Sequence, residues 1–293
     1  MASPSQVPVR YPSGVSTDQP WGPLANFGLP NPFMYHVVYD DFDGASTAAG
    51  VAGQAFDPLW TVYTTAASGG TTVNSNALAG GNGEGGQWLF TTGAAGGDIQ
   101  SIELAKASFI LPPAVSTGLA FASKKVFFLA RINVTNVTNM SWTIGLVNQS
   151  ATPTLAITDG IALQATGPAT MNLVAYSAST LQWTVAIPPA VLALYYANAT
   201  WIDIGFAMDR QQNVYAQVGF PLVGWLPASA WTGVNNVNAQ PVPKANVAAF
   251  QGIYNGTIVT PWTPSTALLT PAVIFAGNAQ TAYLDFLLAA KER

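Results

Sequence analysis

Charge is the scarcest commodity in this chain. Nine Lys or Arg and thirteen Asp or Glu make up 8% of 293 residues, against about 25% in an ordinary soluble domain. Between Ile132 and Ile202 the only charged side chain is Asp159, and between Gln211 and Leu284 it is Lys244. The surface must therefore be built from Thr, Asn, Ser, Gln, Gly, Ala and backbone. Neutral amides and hydroxyls cost far less to desolvate than ions, so such a surface suits a protein packed against neighbours.

Cysteine is absent, which excludes a disulfide framework, thiolate metal sites and a Cys nucleophile. The opening MASPSQVPVR has no apolar segment. The expectation is that there is no signal peptide and that the chain folds in a reducing cytosol. A spanning helix needs about 18 consecutive apolar residues. The longest helix-like apolar run, Val191 to Tyr196, is far shorter, so no membrane association is expected. Basic residues are scattered, with Lys124-Lys125 the one adjacent pair. The basic stripe that nucleic acid requires is missing.

Proline concentrates at the start. Residues 1–35 hold seven of the 21 prolines together with Tyr11, Trp21, Phe27 and Phe33. Proline removes a backbone donor and excludes helix and central strand, whereas a disordered linker lacks aromatics. This stretch reads as an extended arm, lying either on its own domain or on a neighbour.

After the arm, short alternating strands dominate. Val126, Phe128, Ala130, Ile132 and Val134 share one face of a strand. Trp142, Ile144 and Leu146 share another, as do Leu181, Trp183, Val185 and Ile187, and Val214, Ala216 and Val218. Shorter candidates lie at 87–91, 99–104, 108–111, 160–164, 201–207, 272–276 and 282–288. About a dozen such runs between Gly, Pro, Asn and Ser clusters predict an all-β, antiparallel two-sheet sandwich over 36–293. One helical turn is expected at Pro189–Ala197 and another at Leu287–Arg293. The Gly-rich segment Ala66–Gly86 lacks the Gly-Lys-Ser/Thr ending of a phosphate loop and reads as a long β connection. Residues 221–270, rich in Pro, Trp and Asn, read as a loop excursion.

Candidate chemistry is thin. The single histidine, His36, is too little for a catalytic triad without a placed nucleophile and acid. Asp40, Asp41 and Asp43 have the oxygen chemistry for Ca²⁺, but strand alternation would split them between faces. Asp203, on the strand Trp201–Asp209, invites comparison with retaining glycosidases, whose two carboxyl groups lie about 5–5.5 Å apart. No acid lies two or three residues away, and Asp209, six residues on, is roughly 20 Å distant along an extended strand. The expectation is a non-enzyme with no catalytic residue, cofactor or metal. Trp225, Trp231 and Trp262 sit in loops, where they would either line a sugar groove or fill core and subunit contacts.

Two resemblances follow from these residues. From Asp40 onward the order of runs resembles concanavalin A-like (laminin G-like) jelly rolls. The runs are Tyr39-Asp40-Asp41-Phe42-Asp43, Gln87–Gly93, Val126–Ile132, Ile144–Val147, Thr158–Ile161, Trp201–Phe206 and Tyr283–Leu287. The stretch Arg10-Tyr11-Pro12-Ser13-Gly14-Val15-Ser16-Thr17, followed by Leu24-Ala25-Asn26-Phe27-Gly28 and Pro30-Asn31-Pro32, resembles the N-terminal part of tailed-bacteriophage structural proteins. That resemblance implies a capsid decoration (cement) protein made in the host bacterial cytoplasm and mounted on the virion. It would bind the major capsid protein and its own copies. The same resemblance extends to a carbohydrate-binding tail or fibre protein. It implies no site residues.

Overall fold

The computed structural model describes residues 35–40, 42, 55–57, 60–65, 87–93, 97–104, 109–111, 124–148, 150, 152–187, 189–208, 214–219 and 267–293. The arm before Tyr35, the Gly-rich 66–86 and most of the 221–270 excursion, with Trp225, Trp231 and Trp262, lie outside the described residues.

Fourteen strands and one short helix are described, in the order β1 (Tyr35–Asp40), β2 (Ala55–Asp57), β3 (Trp60–Thr65), β4 (Trp88–Thr91), β5 (Asp98–Leu104), β6 (Val126–Val134), β7 (Met140–Asn148), β8 (Gly160–Thr166), β9 (Met171–Ser177), β10 (Thr180–Ala186), α1 (Pro189–Tyr195), β11 (Thr200–Met208), β12 (Val214–Gly219), β13 (Leu269–Gly277) and β14 (Thr281–Glu292). Six strands form one sheet in the order β1-β14-β6-β11-β12, with β4 also on β14; eight form the other, β10-β9-β8-β7-β13-β5-β3-β2. Every pairing is antiparallel. The expected two-sheet sandwich is the observed architecture.

The core between the sheets is aromatic. Phe128 and Phe206, paired across β6 and β11, stack at 5.6 Å. Phe90 of one sheet meets Phe275 of the other at 4.8 Å. Gln100, 1% exposed, clamps the two sheets through both backbone groups of Thr91. The helix α1 presents Val191 and Leu192 to the core. Just after it, the Tyr196 hydroxyl accepts the Trp142 indole N–H at 2.8 Å. Burial pushes that hydroxyl up to about 12, so it stays neutral throughout the physiological range.

Three expectations need correction. The segment 287–293 is not helical: β14 runs to Glu292, paired with β1 on one side and β6 on the other. Leu, Ala, Lys and Glu favour helix in isolation, but here pairing on both sides buries Leu287, Ala289 and Ala290 completely. The strand expected at 108–111 is a single bridge, Phe109 to Leu269. The opening strand ends at Asp40, because Phe42 turns to φ 56°.

The β9–β10 hairpin closes through Ala178 and Ser179 at φ 48° and 64°. Positive φ at both central residues is the type I′ geometry, which favours Asn-Gly and costs other residues roughly 1–2 kcal/mol each. Asp159 Oδ1 accepts the Ala178 N–H, and the Thr158 carbonyl accepts that of Ser179, both at 2.8 Å. Installing Asn-Gly through Ala178→Asn and Ser179→Gly should raise stability by about 1 kcal/mol, since the relieved strain exceeds the added chain entropy of one Gly. Urea denaturation would measure it; unchanged or lower stability would contradict the strain argument.

Candidate functional site

The densest polar constellation among the described residues lies on the outer face of the six-stranded sheet. Three strands far apart in sequence build it. β6 supplies Arg131, opposite Asp203 on β11, and β14 supplies Asp285 from a bulge between Leu284 and Phe286. Arg131 Nε donates to Asp203 Oδ1 at 2.7 Å, its Nη2 reaches Asp203 Oδ2 at 3.4 Å, and its Nη1 reaches Asp285 Oδ2 at 3.4 Å. The guanidinium carbon stands 5.0 Å from the centre of the Phe286 ring, a cation–π distance.

The triad sits at a margin of burial: Asp203 is 2% exposed, Asp285 25% and Arg131 28% at the side chain. Burial pushes the Asp203 carboxyl up; the bond and charge of Arg131 oppose it, Asp285 adds its own repulsion, and the net shift is upward. For Arg131, burial works against the charge, but the hydrogen bonds and charges of Asp203 and Asp285 outweigh it and raise its pKa. The guanidinium thus remains charged between two carboxylates.

One register step along the same face, Tyr283, Asn133 and Trp201 are paired in a row across β14, β6 and β11. The rings of Trp201 and Tyr283, both half-buried, lie 6.4 Å apart. Between them Asn133 is 9% exposed, and its buried Oδ1 has no hydrogen-bond partner. On the other side of the triad, half-buried Tyr39 stacks on Phe286 at 6.2 Å.

The acid partner that sequence spacing denied to Asp203 therefore exists, but on another strand. Asp285 arrives from β14 by long-range pairing, which no local motif reports. The two flanking positions on β11 itself are Trp201 and Gly205. At Gly205 a Cβ would fall 2.3 Å from the Phe128 carbonyl oxygen, so no acid fits there. Arg131 stands between the two carboxylates and engages both. A general acid must be free to hold and release a proton to substrate, and here both Asp203 oxygens and Asp285 Oδ2 are bonded to a fixed cation.

The other sequence candidates separate. His36 lies exposed on β1, its ring 5.5 Å from Phe109. Asp40 serves structure: Oδ2 accepts the Trp60 indole N–H at 2.5 Å, and Oδ1 accepts the Phe42 N–H at 2.7 Å as an Asx-turn. Asp41, Asp43 and Asp209 lie outside the described residues. Among the described residues no three His, Asp or Glu are grouped to hold a metal, and no helix is long and apolar enough to cross a membrane.

Sheet order, antiparallel register and one core closed between the two sheets define an all-β, two-sheet sandwich. No family model matches the chain, and no curated protein matches it. Among solved structures, a protein of unknown function from Shewanella oneidensis MR-1 is similar over 88% of this chain and 87% of its own, with 11% identity and a TM-score of 0.48. The CBM2 module of the evolved Dit of Lactobacillus casei BL23 phage J-1 is similar over 88% and 96%, with 13% identity and 0.40. A Bacillus licheniformis β-glucanase is similar over 86% and 97%, with 8% identity and 0.44. No residue role passes to this chain at these identities.

Proposed function

We propose that this chain is a structural virion protein that decorates the outer surface of a tailed-phage head, contacting the major capsid protein and its own copies. One observation carries the reading: of the twelve charged side chains whose burial is described, four are buried and six half-buried. Among the charged side chains whose burial is described, only Lys124 and Arg293 are exposed, while Asp98, Glu103, Asp203 and Glu292 are buried. The remaining outer surface desolvates cheaply, so neighbouring copies meet without breaking ionic hydration. Many copies on one shell add avidity, which lets each contact be weak. A stretch of about 35 residues could span up to ~110 Å if extended, which would suit an arm that reaches a neighbouring copy.

A second reading, glycan recognition on a tail or fibre, is favoured by the Tyr283–Asn133–Trp201 row. Two half-exposed rings offer faces to a sugar, and the orphan Asn133 oxygen offers an acceptor to a hydroxyl. Immunogold electron microscopy of intact particles separates the two. Label over the head supports decoration. Label on the tail, together with glycan-array binding that Trp201→Ala abolishes, supports the second reading and overturns the first.

A further inference from the structure

The outer face of the eight-stranded sheet holds a buried carboxyl that neither reading uses. Glu103 on β5 pairs with Thr61 of β3 and Ala272 of β13. Its neighbours Ile102 and Leu104 enter the core, so its own side chain faces outward, yet it is 1% exposed. The connection between β7 and β8 meets it at Ser150. Ser150 donates its backbone N–H to Glu103 Oε2 at 3.0 Å. Oε1 is buried without a partner, as is Ser101 Oγ two residues back on the same face.

Among the described residues, hydrogen bonds lay that connection along the sheet, and Asn148 Oδ1 ties its far end by accepting the Thr158 and Asp159 N–H groups at 3.4 and 3.3 Å. Ser150 Oγ holds both backbone groups of Thr152, at 3.0 and 3.3 Å. The Leu155 carbonyl accepts Thr143 Oγ1 at 2.7 Å and Gln164 Nε2 at 2.8 Å. Ile157 seals a small apolar cluster with Val147, Ala162, Val174 and Ala272. At its end, Thr158 and Asp159 hold the strained Ala178–Ser179 tip.

Among the described residues, the surroundings offer no cation to balance a negative charge; Lys106 lies outside them. β3, β5, β7, β13 and residues 150–159 carry no Lys, Arg or His. The groups facing Glu103 from β3 are Thr61 and, beside Ser101, Tyr63; from β13, Thr270 and Ala272; from β7, Thr143 and Gly145. Other acids on this sheet are Asp57 on β2, paired with Trp60 beside Thr61, Asp98 on the opposite face of β5, and Asp159 at the far end of the segment. One N–H is poor compensation for a full charge in a dry site.

We propose that Glu103 is a proton-controlled latch: with its carboxyl neutral, Ser150 and residues 152–159 lie closed on the eight-stranded sheet, and ionisation releases them so that water reaches the carboxylate. Burial pushes this carboxyl from 4.5 up to about 7, with the Ser150 N–H pulling slightly back. The closed state thus binds the proton more tightly than an open, hydrated one. Rising pH favours opening between 4.5 and 7, and the effect levels off above 7. Opening uncovers the apolar floor around Ile157 and removes both supports of the hairpin tip.

Amide hydrogen exchange reads the latch directly, because local opening sets the exchange rate. After correction for intrinsic rates, opening at Ser150 and residues 152–159 should rise roughly tenfold from pH 6 to 9 in the wild type. Glu103→Gln keeps the acceptor for Ser150 and should show a flat profile. A flat wild type, or an equally steep variant, overturns the proposal. A ¹³C titration of the wild-type Glu103 carboxyl gives a check that needs no variant: a midpoint near 7 supports the latch, and one near 4.5 removes it.

Discussion

Replacing Arg131 with Ala lowers the unfolding free energy by about 3–5 kcal/mol at pH 7, the loss typical when one partner of a buried ion pair is removed. The cost arises less from the lost attraction than from what remains. Asp203 is 2% exposed, and without the guanidinium its charge has neither water nor a counter-ion, while Asp285 still repels it. Two controls follow. The deficit shrinks as pH falls, because the stranded carboxyl takes up a proton and its charge disappears. Replacing both partners together, Arg131→Met with Asp203→Leu, restores most of the loss, since an apolar pair of similar volume leaves no fully buried charge, and Asp285, 25% exposed, still reaches water. Urea unfolding at pH 4.5 and 7.5 measures all of this. A loss below 1 kcal/mol at pH 7 would mean the triad behaves as a surface ion pair, and it would then be a freer acid site than the geometry indicates.

Glu103→Gln acts in the opposite direction. It should stabilise the protein by up to about 3 kcal/mol at pH 8 and leave it unchanged at pH 4, since each unit of pKa shift is worth about 1.36 kcal/mol. In the folded chain the carboxyl titrates at about 7 against 4.5 when exposed. The native state therefore holds a proton that the unfolded state has already released, and wild-type stability falls as pH climbs from 4.5 through 7. Glutamine presents the same acceptor to Ser150 with no charge to bury, so it escapes that fall. Release of the segment recovers part of the penalty, which makes 3 kcal/mol an upper figure. Equal stabilities of the two proteins at pH 8 would show that Glu103 ionises without cost.

The two sites differ in how visible they were. The strands around Phe128, Trp142, Trp183 and Val218 were legible because one face of each is core and the alternation survives. β9 was not read as a strand. Its outward residues Val174 and Tyr176 are apolar because the segment bearing Ile157 covers them, and two covered faces erase the period of two. β14 read as a helix at its end because propensity is local and sheet burial is not. Asp203 was noticed for its strand, but its partners Arg131 and Asp285 lie 72 and 82 positions away along the chain. Glu103 gave no signal at all: an acid in an alternating strand is an ordinary solvent-facing residue until another segment folds over it.

Sequence alone determined the class of fold and the character of the surface. Alternation, turn residues and the absence of helical period dictate antiparallel sheets, and a chain with so few ions cannot wear a charged coat however it folds. Tertiary structure decided where the remaining ions go. Burial and ion pairing depend on which strands become neighbours, and that is set by contacts between residues 47 to 154 positions apart. Only the folded sandwich brings Arg131 between two acids, shuts Glu103 under the β7–β8 connection and leaves Lys124 and Arg293 at the surface.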